Sequence, residues 1–197
     1  RGSTARLGAT SLEYEPTAGP NKIMIGTEAG TVLSCNRKPK NIADRIGSSY
    51  HGHTGPVYSV DRNPFNPKFF LTVGDWTCKV WMEDLKVPIL VSKQHDTYLM
   101  GGEWSPTRPG VFYTIKMDGT LDIWDMMVKQ VEPSISVRVS SKALASVEVQ
   151  DTGQSVAVGG VEGAVTILEV CESLHQLQPQ ERSSVSQAFE RETKRER

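Results

Sequence analysis

Four similar segments recur along the chain at a nearly constant spacing, and this spacing restricts the possible folds more than any other feature. Each segment contains a turn followed by a stretch of alternating residues. The segments close at Cys35, Trp81, Trp124 and Leu168, which are 46, 43 and 44 residues apart. Because a fixed period of 20–50 residues is typical of repeat architectures, the sequence predicts one fold assembled from four equivalent units.

Each unit has the pattern of short strands joined by turns. In the second unit, residues 57–60, 69–73 and 77–81 are apolar or alternating. The prolines in the segment 63–67 separate the first two of these runs, because proline ends a strand ladder. In the third unit, Asp118-Gly119 separates two alternating runs, which is a strong hairpin signal. No helical periodicity competes within the units. The sequence therefore predicts an all-β fold.

A period near 44 residues with three or four strands per unit is typical of a β-propeller blade. The predicted blades span about 10–38, 52–94, 95–139 and 142–171, all within a partial propeller over residues 1–171. Since propellers close with typically four to eight blades, we expect about four blades of a larger ring. The chain begins without methionine, and we expect it to be a fragment of a longer protein.

The blades resemble those of the WD-repeat family. A Gly-His pair at Gly52-His53 precedes the second unit, and His95 lies 42 residues further on. The resemblance implies a buried chain of hydrogen bonds in each blade, formed by His, Ser or Thr, Asp and Trp, because buried polar groups need partners. The residues at these positions are His53, Thr72, Asp75 and Trp81 in one blade, and His95, Thr114, Asp118 and Trp124 in the next.

The first and last units depart from that pattern. The first ends in Cys35 and has Ala29 at the aspartate position. The last ends in Leu168, has Glu162 instead of aspartate, and lacks a histidine before its first strand. We therefore do not expect a complete network in these two blades.

A narrower resemblance covers nearly the whole chain. Residues 63–77, 104–109 and 117–125 are similar to the C-terminal blades of dynein intermediate chains, and residues 11–16 and 189–196 point to the axonemal outer-arm type. This resemblance implies a non-catalytic assembly subunit of a microtubule motor, located in the cytoplasm, the cytoskeleton and the axoneme of a cilium. The implied partners are a dynein heavy chain, a second intermediate chain and light chains. The alternative is a WD-repeat adaptor outside dynein, which would have no reason to share the non-repeat segments.

Composition and motifs argue against other functions. With 22 basic and 23 acidic residues, the net charge is −1, which favours neither a nucleic-acid nor a membrane partner. The three cysteines are scattered without metal-ligand spacing, and the pair His51 and His53 has no third ligand nearby in sequence. There is no Gly-x-Ser-x-Gly motif, no phosphate-binding glycine loop and no visible set of carboxylates converging on a central channel. We expect no metal, no cofactor and no catalysis.

Three residues are candidate partner contacts. Trp76 occupies a turn position where glycine is usual, so it either anchors a partner or packs on the neighbouring blade. Arg108, with Trp104, brackets the proline-rich loop 105–109. Phe189 forms a narrow apolar stripe with Val185 and Ala188 in the charged tail 172–197. That tail is predicted to be helical, docking on the propeller or on a partner; the alternative is a partly frayed, solvated segment.

Overall fold

The computed structural model describes residues 7–14 and 16–197, in which strands form four antiparallel sheets arranged side by side. Three sheets have four strands and the last has three. In every sheet the strands pair in chain order, as expected for strands joined by short hairpins. The all-β fold of repeated blades predicted from the sequence is confirmed. The four blades do not close a ring within the described residues.

The strands of the first two blades alternate with short turns. The first blade contains β1 (Ala9–Glu13), β2 (Lys22–Thr27), β3 (Thr31–Asn36) and β4 (Ile46–His51). The second contains β5 (Val57–Arg62), β6 (Phe69–Gly74), β7 (Thr77–Met82) and β8 (Pro88–Val91). The first blade therefore extends beyond the predicted unit 10–38, because β4 pairs with β3 from Thr31 to Cys35.

The other two blades differ in strand number. The third contains β9 (Leu99–Trp104), β10 (Val111–Lys116), β11 (Thr120–Asp125) and β12 (Ile135–Arg138). The fourth contains β13 (Leu144–Val149), β14 (Ser155–Gly160) and β15 (Val165–Glu169), so its outer strand β15 pairs with β14 alone. Two helices follow, α1 (Glu172–His175) and α2 (Glu181–Arg195).

The first strands of the blades lie next to one another and form the inner side of the arc. Strand β5 contacts β1 on one side and β9 on the other, and β9 also contacts β13. Because strands alternate in direction, the turns β2–β3, β6–β7, β10–β11 and β14–β15 all emerge on one face, which we call the hairpin face. The loops after β1, β5, β9 and β13 emerge on the opposite face, which we call the helix face because α2 packs there.

The hydrophobic core lies between blades. Each of three clusters combines residues from two adjacent blades, so neither blade of a pair can bury its apolar surface alone. Tyr50 of the first blade packs edge-on against Phe70 and Trp81 of the second. Between the second and third blades, the cluster also includes two residues of α2, Val185 and Phe189. Blade contacts and the helix therefore stabilise one continuous structure.

Helix α2 starts where the chain reverses at Gln180, which has a left-handed φ of 61°. The Glu181 carboxylate accepts a hydrogen bond from the Gln178 backbone N–H at 3.0 Å. Lys194 and Arg195 lie in the last turn, where the helix dipole stabilises positive charge. No helix among the described residues is long and apolar enough to cross a membrane.

Candidate functional site

The second blade contains a buried chain of side-chain hydrogen bonds. His53 Nε2 lies 2.7 Å from Thr72 Oγ1, and Trp81 Nε1–H donates to the same oxygen at 2.8 Å. His53 Nδ1 lies 3.3 Å from Asp75 Oδ2. One proton arrangement satisfies all three contacts: Thr72 donates to Nε2 and Nδ1–H donates to Asp75, which makes the imidazole neutral. Burial lowers the pKa of His53, in agreement with that arrangement.

Asp75 also fixes the hairpin turn between β6 and β7. It has a positive φ of 51°, which aspartate tolerates better than most side chains. Its carboxylate accepts hydrogen bonds from the backbone N–H of Thr77 at 2.9 Å and of Thr54 at 3.0 Å. Burial alone would raise the pKa of Asp75, but the hydrogen bonds from His53, Thr54 and Thr77 hold it well below its usual range. The carboxylate therefore stays ionised and joins the turn to the preceding loop.

The third blade differs from the prediction at two residues, His95 and Asp118. Trp124 Nε1–H donates to Thr114 Oγ1 at 3.0 Å, but His95 Nδ1 lies near Asp122, 3.7 Å from Oδ2. Asp118, expected in this network, instead accepts a hydrogen bond from the Thr120 backbone N–H at 3.0 Å, in the turn. The prediction for Asp118 is therefore wrong.

The reason is a change of charge in the adjoining strand. Asp122 pairs with Thr114 across β10 and β11, and the same position in the second blade is Lys79, which pairs with Thr72. The fully buried Asp122 also forms an ion pair with Lys116 at 3.1 Å. His95 Nε2 has no hydrogen-bond partner among residues 7–14 and 16–197, so this network is less complete than that of the second blade.

The two outer blades use other contacts. In the first blade, Thr31 Oγ1 lies 3.0 Å from His51 Nδ1. In the fourth, the turn is made by Gly163 with a φ of 83°. Across the described part of the chain, no group of three or more His, Cys, Asp or Glu residues is arranged to hold a metal ion.

Trp76 lies on the hairpin face, at the β6–β7 turn. Its side chain packs against Tyr98 with ring centroids 4.5 Å apart, and Tyr98 in turn contacts Tyr58 edge-on at 6.3 Å. The residue nevertheless remains 37% exposed. One part of the ring thus packs on the neighbouring blade and another part faces solvent, and the role of Trp76 as a partner contact stays a prediction.

Arg108 and Phe189 are not available to a partner, which contradicts their prediction as contact residues. The buried Arg108 guanidinium bonds to Glu181 at 2.9–3.0 Å, to Asp125 at 3.0 Å and to the Ser173 carbonyl at 2.7 Å. Phe189 is 2% exposed and stacks on Phe69 with centroids 4.4 Å apart. Both residues hold α2 on the helix face, because each joins the tail to the blades.

The inner strands carry a row of carboxylates that was not predicted from the sequence. Its members are Glu13, Asp61, Glu103 and Glu148, and we call them the acid row. Each lies four residues after the first paired residue of its strand and two residues beyond a β-bulge that recurs in all four blades. The signal was present in the sequence as an acidic residue recurring with the blade period. It was hidden because one acidic residue per repeat is unremarkable until the strands are aligned.

Members of the acid row are directed at the next blade. Asp61 Oδ2 accepts a hydrogen bond from the Trp104 backbone N–H at 2.7 Å, and Glu103 Oε2 accepts one from Val149 at 3.0 Å. Burial raises the pKa of Asp61 to about 7. Burial, with the nearby charges of Glu148 and Asp61, raises the pKa of Glu103 to about 8. These contacts join neighbouring strands, so the carboxylates are engaged in the blade interface.

Comparisons with known proteins agree on one family. The sequence model of the family described as Dynein axonemal intermediate chain 3 WD40 domain matches residues 18–170. The Chlamydomonas reinhardtii protein named Dynein, 70 kDa intermediate chain, flagellar outer arm is 49% identical over 199 residues, covering 100% of this chain and 35% of that protein. The Heliocidaris crassispina protein named Dynein intermediate chain 3, ciliary is 52% identical over 191 residues, covering 96% and 32%. Human Dynein axonemal intermediate chain 2 is 51% identical over 192 residues, covering 97% and 32%. The chain spans about a third of the length of these relatives.

Proposed function

Because this chain belongs to the WD40-domain family of axonemal dynein intermediate chains, we propose that it is an assembly subunit of the outer dynein arm in the axoneme of cilia or flagella. The observation that carries the proposal is the 49% identity, along the whole chain, with a flagellar outer-arm intermediate chain. The chain would act without catalysis, as a rigid part that positions other chains on the microtubule. Its partners would be a dynein heavy chain, a second intermediate chain and light chains.

The structure supports a rigid scaffold. The histidine, threonine and tryptophan side chains of the network are bonded to each other inside the second blade. Asp75 is held by two backbone N–H groups, and Asp61 and Glu103 of the acid row are bonded to neighbouring strands. Each of these groups stabilises the position of a turn or strand, which is what a scaffold requires.

Trp76 is our proposed contact residue for a partner on the hairpin face. Tryptophan at a partly exposed position contributes strongly to interfaces, because it buries a large apolar area while its N–H can still be satisfied. The ring is already oriented by Tyr98, so little conformational freedom would be lost on binding.

The proposal is tested by affinity capture of the tagged chain, within its full-length parent, from a high-salt extract of cilia. Mass spectrometry should identify axonemal heavy chains and a second intermediate chain in the eluate. Recovery of other machinery without dynein chains would favour the adaptor function and overturn the proposal.

The same assay tests Trp76. We expect Trp76→Ala to reduce the recovery of at least one dynein chain by about tenfold or more while the melting temperature stays within a few degrees of the wild type. Met117→Ala is the matched control, since Met117 is 54% exposed beside the corresponding turn of the third blade. Equal recovery with both variants would show that Trp76 contacts no partner, and loss of folding would assign it to the core.

A further inference from the structure

The acid row is part of a longer pattern that crosses each blade. On the side facing the next blade, Asp61 is paired with Leu71, which is paired with Val80. In the third blade the corresponding series is Glu103, Tyr113 and Ile123. In each case the carboxylate lies on the innermost strand and the apolar residues lie on the next two strands.

These two series are both covered by a neighbouring blade. Val80 is 3% exposed and belongs to the cluster between the second and third blades. Ile123 is 8% exposed and belongs to the cluster between the third and fourth. The Asp61 carboxylate accepts a hydrogen bond from Trp104, and the Glu103 carboxylate accepts one from Val149. Each donor directly follows the acid-row residue of the neighbouring blade. Glu13 contacts the equivalent position by accepting a hydrogen bond from Arg62 Nε at 3.1 Å.

The fourth blade has the same series without a cover. Glu148 is paired with Ala157, and Ala157 with Ile167. Ile167 is 73% exposed, against 8% for Ile123 at the same place one blade earlier. These residues border an open groove of about 370 Å³. Within residues 7–14 and 16–197, the Glu148 carboxylate has no hydrogen bond or ion pair.

From this repetition we infer that Glu148 is a binding residue for a further blade, which packs on Ala157 and Ile167. The Glu148 carboxylate accepts a hydrogen bond from a backbone N–H of the innermost strand of that blade. The three blade interfaces are continuous with this flank. Two of them use this backbone contact at the same register, and in the first the Arg62 side chain donates to Glu13 from the equivalent position. The relatives are long enough to contain a further blade, because this sequence covers only 32–35% of their length. The acid row would thus set the register of successive blades, because a shift of one residue would remove the N–H donor from every carboxylate.

The test measures hydrogen exchange at single backbone amides. In the 197-residue chain, Glu103→Ala should accelerate exchange of the Val149 amide by about tenfold or more, since its acceptor is lost. Glu103→Gln keeps an accepting oxygen and should retain most of the protection, which separates loss of the bond from loss of the fold. Unchanged exchange at Val149 in Glu103→Ala would overturn the role of the acid row.

Glu148 is then tested in a longer chain, in which these residues replace the matching third of the Chlamydomonas reinhardtii relative. Glu148→Ala should accelerate one amide of an inner strand outside the 197 residues by about tenfold or more, and Glu148→Gln should not. Glu169→Ala, on the exposed outer strand of the same blade, is the matched control and should accelerate none. If Glu148→Ala also accelerates the exchange of no such amide, a further blade is not the occupant. The same conclusion follows if the 197-residue chain dimerises through this groove and Ile167→Lys abolishes the dimer.

Discussion

Replacing Arg108 with methionine should release helix α2 from the blades. The guanidinium joins Asp125 on β11 to Glu181 at the start of α2, and the three side chains are only 2–10% exposed. Methionine fills a similar volume without charge, so both carboxylates would remain buried without their cation. Removing one partner of a buried ion pair typically costs about 3–5 kcal/mol.

The measured loss should lie near the lower end of that range. Once α2 leaves the surface, Glu181 regains water, so the loss cannot exceed the free energy with which the helix docks. About 3 kcal/mol corresponds to a fall of roughly 6–12 °C in melting temperature for a chain of this size. The same change should expose the peptide bonds after Arg191 and Lys194 to trypsin, because a protease cleaves an undocked helix more readily.

Arg182→Met is the control for this experiment. Arg182 is on the same helix, with its guanidinium 5.0 Å from the Phe65 ring, but it is exposed and should cost less than about 1 kcal/mol. Thermal unfolding followed by circular dichroism gives the melting temperatures of both variants. A difference of about 2 °C corresponds to only about half a kcal/mol. If the melting temperatures of Arg108→Met and the control differ by less than that, and both variants resist trypsin equally, the ion pairs do not hold the helix and the reasoning fails.

Two further predictions concern buried carboxylates. Asp122→Ala should lower the free energy of unfolding by about 1–3 kcal/mol, since it leaves Lys116 without its ion-pair partner and removes the group beside His95. Asp118→Ala should lower it by about 1 kcal/mol or less, because only one turn hydrogen bond is lost. Urea denaturation compares the two variants, and the reverse order would restore Asp118 to the network. Because the folded-state pKa of Glu103 is raised to about 8 while the unfolded chain ionises near 4.5, the folded state retains the proton longer, and its stability should fall as the pH rises toward and through 8. The melting temperature of the wild type should therefore decrease relative to that of Glu103→Gln between pH 7 and 9, and parallel curves would contradict the raised pKa.

The blades could be predicted from sequence because their signals are local. Alternating runs, turns and a constant period identify the strands, and the histidine, threonine and tryptophan of the second blade follow from their positions in the repeat. Asp118 was misassigned because two aspartates lie four residues apart, and only the burial of Asp122 beside Lys116 distinguishes them. Spacing alone carries no information about which carboxylate is desolvated.

The tail could not be placed from sequence because its contacts are distant along the chain. Arg108 bonds to Glu181, 73 residues away, and Phe189 stacks on Phe69. An arginine in a proline-rich loop and a phenylalanine in a charged helix are each compatible with an exposed surface. Only the folded arrangement brings a cation and an anion, and two aromatic rings, to the same place.

The stacking of Phe189 on Phe69 has a consequence for biosynthesis. The ribosome adds Phe189 120 residues after Phe69, so the second and third blades emerge with an aromatic surface that no neighbouring part of the nascent chain can cover. Since domains fold from the N-terminal side during synthesis, this surface stays open until α2 is complete, a period in which exposed apolar groups promote aggregation. A stop codon shortly before Phe189 would prolong that period indefinitely and would have the effect of a defect in the core, although every blade residue would be intact.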